Sequence, residues 1–214
     1  MDEEITIIDT NTRNQKIRDF FINNKKSLFL GALIFLLSLI GYFSFDEIKK
    51  RNKIKLANQF NSTIINYEIN QDKRAINELI YIVNKQDVTY SPLALYFLID
   101  NNLVESKKEI NDLFNILINK TNLENEMKNL IIYKKALYNS NFSTENELIQ
   151  ILNPIINSQS IWKSHSLYLM AEYFYSKNEK QKAKEFFNQI LLLPNSNQEI
   201  KVESQKRISR DFSE

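Results

Sequence analysis

Residues 27–45 (SLFLGALIFLLSLIGYFSF) form one uninterrupted apolar run without a single charge, followed by a long polar region. A helix packed on a water-soluble core keeps a polar face, and this run has none. At about 1.5 Å of rise per residue it covers roughly 28 Å, close to the ~30 Å hydrocarbon core of a bilayer, where a lone segment satisfies its backbone only as a helix. A single membrane-spanning helix is expected at 27–45. A cleaved secretory signal would share the position behind Lys25 and Lys26. The run, however, exceeds the ~7 to 15 apolar residues of a signal, about 26 mostly polar residues precede it, and no small-x-small cleavage site follows Leu39. An uncleaved anchor is the expectation.

The Lys/Arg bias that sets orientation is tied: Arg13, Lys16, Arg18, Lys25 and Lys26 precede the run, and Lys49, Lys50, Arg51, Lys53 and Lys55 follow it. The cations directly abutting the run are on its N-terminal side, while Asp46 and Glu47 abut the other end. That asymmetry points to the N-terminus inside. The organisation expected is therefore a tail at 1–26, a span at 27–45 and one helical domain at 46–214. In the tail, Asp9 or Thr10 offers a cap for a short helix carrying Ile17, Phe20 and Phe21 on one side, suited to the inner membrane surface or a cytosolic partner.

Of 214 residues, 43% are hydrophobic and 25% charged, and the formal net charge of +2 makes no electrostatic case for nucleic acid. With no Cys, thiol nucleophiles, disulfides and thiolate zinc sites are excluded. One His, His165, cannot build a two-histidine metal site. The two glycines, Gly31 and Gly41, both lie in the apolar run, so no glycine loop outside it can cradle a phosphate. No catalytic residue, metal or cofactor is expected. Most familiar enzyme chemistries are thereby closed, while a carboxylate pair remains formally open, since a glycoside hydrolase needs only two acids; an envelope hydrolase is the enzymatic alternative. The candidate acids Glu105, Glu109, Asp112, Glu124 and Glu126 fall among Lys and Asn at helical spacing, which reads as a solvated helix face.

From residue 46 onward the apolar residues recur at steps of three and four, the mark of an all-α domain. Helices are expected near 46–70, 73–86, 91–101, 105–120, 124–140, 144–157, 161–177, 179–193 and 198–212. Pro92 suits a first turn, Pro154 should kink or shorten its helix, and Pro194 should end one. Within this pattern Leu79, Leu113, Leu148 and Ala183 are spaced 34, 35 and 35 residues apart, and Val83, Leu117, Leu152 and Phe187 repeat the spacing four residues later. Ala136 and Ala171 are also 35 apart. A period near 34 is that of the tetratricopeptide repeat (TPR), a stacked α-solenoid; chance spacing in a generic helical bundle is the alternative. Leu167, Met170, Ala171, Phe174, Ala183, Phe187, Ile190 and Pro194 fall on or beside the apolar, small and proline positions of that repeat. The polar segment from residue 198 onward suits a solvent-facing terminal helix.

The order of parts resembles the YfgM-type ancillary subunits of the bacterial Sec translocon. The likeness is carried by Phe20, Phe21 and Asn24 to Lys26 before the run, Gly31 and Gly41 within it, and 162–191 (WKSHSLYLMAEYFYSKNEKQKAKEFFNQIL) near the end. The chain departs from that family in its Asn, Ile and Lys rich composition and its weak early repeats. The resemblance implies a single-pass protein of the bacterial inner membrane, N-terminus cytoplasmic, with a periplasmic TPR-like domain. It further implies association with SecY, SecE and SecG and with a PpiD-type periplasmic chaperone, and a role in passing unfolded exported proteins to chaperones. A scaffold for another envelope complex, in cell division or outer-membrane assembly, would share this architecture.

Two sets of contact residues follow. Ser27, Gly31, Ser38 and Gly41 fall within an arc of about 80° on a helix, a small-residue stripe of the kind that lets helices approach closely in lipid; simple tolerance of Gly and Ser is the alternative. His165, Tyr168, Glu172 and Tyr175 map to the concave face of the last repeat, where an apolar body with a polar tip suits a partner segment. Packing of Tyr168 or Tyr175 against the C-terminal helix is the competing expectation. Trp162 reads as an inter-helix anchor rather than a binding residue.

Overall fold

The computed structural model describes residues 2–212, with side chains from residue 12 onward. Every element among them is a helix: α1 (Asp2–Asn23), α2 (Lys25–Asn70), α3 (Arg74–Asn84), α4 (Tyr90–Asp100), α5 (Lys107–Lys120), α6 (Asn125–Asn139), α7 (Glu145–Ile156), α8 (Lys163–Ser176), α9 (Lys180–Leu192) and α10 (Gln198–Asp211). The chain divides into two compact units, 1–55 and 56–214.

In the first unit the expected short tail helix is longer than its capping residues suggested. Helix α1 already begins at Asp2, so Asp9 and Thr10 lie within it rather than at its start. Ile17, Phe20 and Phe21 are exposed on it. The apolar run lies within α2, a helix long and apolar enough to cross a membrane and without buried residues along that stretch. The run and the helix expected at 46–70 are one continuous element. The backbone has no reason to break there, since residues 27–70 contain no Pro and both glycines are interior to the run.

In the second unit residues 56–70 of α2 pack with α3 and α4: Thr63 donates to Glu78 at 2.5 Å, and the Phe60 and Tyr67 rings meet those of Tyr90 and Phe97. Consecutive helices then pack in turn through α10, and α3 touches α5, α6 touches α8 and α8 touches α10. Leu79, Val83, Leu113, Leu117, Leu148, Leu152, Ala183 and Phe187 are all buried, on α3, α5, α7 and α9. Ala136 and Ala171 are buried as well. Burying each of the Leu, Val and Phe side chains contributes roughly 1.5–3 kcal/mol. Two apolar clusters result, one around Leu95, Phe114 and Leu117 and one around Leu152, Phe174 and Phe187, with Ile118 packed against both.

The helix ends follow local chemistry. Ser106 and Asn197 cap α5 and α10, and Thr144 with Glu147 forms a reciprocal capping box on α7. Pro92 sits in the first turn of α4, where Asp87 accepts from the backbone N–H of Thr89 and Tyr90. Pro154 lies two residues before the end of α7, and Leu193, extended as a residue before proline must be, terminates α9 ahead of Pro194. Left-handed turns after α2, α3, α4 and α8 fall on Gln71, Gln86, Asn102 and Asn178, since no glycine is available there.

Phe187→Ala should cost about 3–5 kcal/mol, because the emptied site is enclosed by packed side chains. Denaturant unfolding followed through Trp162, the chain's single Trp, measures it. Leu192→Ala, at a position 81% exposed, should stay within about 0.5 kcal/mol.

Candidate functional site

Helix α8 presents two faces with different work. Leu167, Met170, Ala171 and Phe174 point into the core, while His165, Tyr168, Glu172 and Tyr175 share a half-buried face. Its start is held from α6: Glu126 accepts from the Ser160 hydroxyl at 2.7 Å and the Ile161 backbone N–H at 3.3 Å. Ser160 in turn accepts from the backbone N–H of Trp162.

On one side of the face stands Tyr133 of α6. Its ring stacks on Trp162 at 5.8 Å and meets His165 edge-on at 5.9 Å, and Trp162 lies 5.1 Å from His165. Trp162 therefore links α6 to α8, as expected of an anchor. Among the described residues, no group stands in hydrogen-bond geometry to the buried Nδ1 of His165. Burial holds the imidazole below its ordinary pKa, against the opposing pull of the Ile161 carbonyl and the Glu199 carboxylate.

On the other side lies α10. Arg207 donates from Nε and Nη2 to the two carboxylate oxygens of Glu172 at 2.8 and 2.9 Å, and from Nη1 to Asp211. Its guanidinium also covers the Tyr175 ring at 4.3 Å. Tyr175 meets Phe212, and Tyr168 meets Phe187. The competing expectation, that these tyrosines pack against the C-terminal segment, describes Tyr175. Burial, reinforced by the carboxylates of Glu172 and Glu203, pushes the Tyr168 phenol up to about 12. At neutral pH it is a hydrogen-bond donor and acceptor, not a base.

All four expected residues thus share one surface, with Glu172 and Tyr175 already engaged by α10. Tyr133 and Arg207 were absent from the expectation. Both carried a signal: Tyr133 precedes Tyr168 by 35 residues and Arg207 follows Glu172 by 35, the same step that relates the buried leucines. The acids Glu105, Glu109, Asp112, Glu124 and Glu126 lie exposed on or beside helix ends and faces, with Asp112 paired to Lys108 at 2.6 Å.

The second set, Ser27, Gly31, Ser38 and Gly41, is exposed on α2. The Ser38 hydroxyl donates to the Ile34 carbonyl at 2.9 Å, and a Cβ added at Gly31 or Gly41 would meet no atom within 4 Å. No protein-family model matches the chain, and no curated protein or solved structure matches it.

Two outcomes follow. A base whose folded pKa is depressed gives stability that is complete above its unfolded value and lost as pH falls toward the folded one. The wild type should therefore lose stability from about pH 6.5 downward in this window, and His165→Asn should flatten that part of the profile in pH-dependent denaturation. Both glycines are exposed and a Cβ at either meets no atom within 4 Å, so Gly31→Leu with Gly41→Leu should leave the helix intact. Loss of detergent-stable partners from the double variant would then report on the stripe, and unchanged co-purification would discard it.

Proposed function

We propose that the chain is a non-enzymatic, membrane-anchored adaptor whose helical domain is a TPR-like solenoid that binds proteins through its α6–α8–α10 face. The observation that carries this reading is the shared step of 34 to 35 residues. It relates the buried pairs on α3, α5, α7 and α9, and it also relates Tyr133 to Tyr168 and Glu172 to Arg207 on the α6–α8–α10 face. A stack of such hairpins buries a continuous core and leaves a row of first-helix side chains free to meet a partner. Aromatic rings with polar tips and a paired Arg suit a peptide or helix better than a small substrate.

The resemblance to YfgM-type subunits supplies the partners: SecY, SecE and SecG in the bacterial inner membrane, a PpiD-type chaperone, and unfolded exported clients in the periplasm, with the N-terminus cytoplasmic. The apolar run in α2 is consistent with the anchor this requires.

Affinity purification of the tagged chain from native membranes in mild detergent, with mass spectrometry of its companions, tests the reading. Stoichiometric SecY and a periplasmic chaperone are expected, and Tyr133→Ala with Tyr168→Ala should deplete the chaperone while sparing SecY. Recovery of a different envelope complex in place of both would assign the same architecture to a scaffold of that complex.

A further inference from the structure

Residues 49–55 (KKRNKIK) hold five cations in seven positions, denser than any other window of that length in the chain. All five are exposed on α2, in the same compact unit as the apolar run. Among the described residues only Arg51 of the five has a carboxylate partner, Glu47 at 2.7 Å. No acid follows Glu47 until Glu68, so this is not the alternating-sign pattern of a helix solvated by its own ion pairs.

We propose that Lys49, Lys50, Arg51, Lys53 and Lys55 form a collar that binds anionic phospholipid headgroups at the surface where α2 leaves the bilayer. The inference rests on α2 crossing a membrane at 27–45. Measured along the helix from Phe45, Lys49 lies about 6 Å and Lys55 about 15 Å beyond the apolar run. The interfacial zone is roughly 5–7 Å deep on each face. The first cations therefore sit within it, and the last lie about one Debye length from the phosphates.

Their directions matter as much as their height. At about 100° per residue the five point at 0, 100, 200, 40 and 240°, leaving no gap wider than about 120°. Headgroups on every side of the helix meet a cation, whatever its tilt. Long Lys and Arg stems can bend back toward the phosphates. Exposed Ile54 lies between Lys53 and Lys55, and exposed Tyr42 stands near the end of the run as an interfacial aromatic does. The N-terminal side is different: only Lys25 and Lys26 abut the run, and Arg13, Lys16 and Arg18 are seven or more residues farther away, with Asp19 between.

The test reconstitutes the full chain into vesicles of one part phosphatidylglycerol to about three parts phosphatidylethanolamine. Carbonate-washed membranes are then solubilised gently, and native mass spectrometry counts the lipids retained on the protein. Phosphatidylglycerol should be enriched about threefold or more over the bulk. The variant K49Q/K50Q/R51Q/K53Q/K55Q should fall to the bulk ratio, while R13Q/K16Q/R18Q/K25Q/K26Q should keep most of the enrichment. Equal enrichment in the first variant and the wild type, with the chain still resisting the wash, overturns the collar alone. A chain that washes off overturns the spanning reading and the collar with it.

Discussion

Helices α3 to α10 run only 11 to 15 residues, lengths at which an isolated helix is marginal in water because nucleation costs more than a few added turns return. Each therefore depends on burying one face against its neighbours. Leu79, Leu113, Leu148 and Ala183, on successive odd-numbered helices, are all buried. Small Ala136 and Ala171 are buried on α6 and α8. Removing any one of these contacts weakens the two helices that share it, so stability here belongs to the row of helices rather than to any member.

Polar details set the register within that row. Asn111 and Asn139 exchange reciprocal side-chain hydrogen bonds at 3.0 and 2.9 Å between α5 and α6, and Asn139 is buried. A shift of either helix would break both bonds and leave the buried Asn139 carbonyl oxygen without its partner. Ser91 does similar work under α4, donating to the Ile82 carbonyl and accepting from the Asp87 backbone N–H. Asn and Gln also take the left-handed turns, a role for which Asn pays little and Gln more.

The face formed by α6, α8 and α10 joins aromatic rings to an ion-paired guanidinium. The Tyr168 phenol is pushed up to about 12, far from a value useful to a general base at neutral pH. The His165 imidazole is pushed the other way, so it is neutral there. Arg207 is committed to Glu172 and Asp211. This face presents aromatic area, a few hydrogen-bonding groups and the Arg207–Glu172 charge pair.

Much of this architecture was legible because it is written in local periodicity. The uncharged run at 27–45 needs no context to read as an apolar helix, three-and-four spacing located α3 to α10 to within a few residues, and Pro194 ended α9 through its own sterics. The step of 34 to 35 residues falls on two buried positions in each of α3, α5, α7 and α9. The continuity of α2 past Phe45 and the early start of α1 at Asp2 were missed, because expected boundaries rested on polarity and caps, whereas a backbone without Pro simply continues. Likewise, His165, Tyr168, Glu172 and Tyr175 could be placed on one face by their spacing. That Arg207 would close on Glu172, and that Tyr133 would stack on Trp162, was decided only when helices far apart in the chain came together, because a contact depends on distance in space and helical spacing reports only direction on one helix.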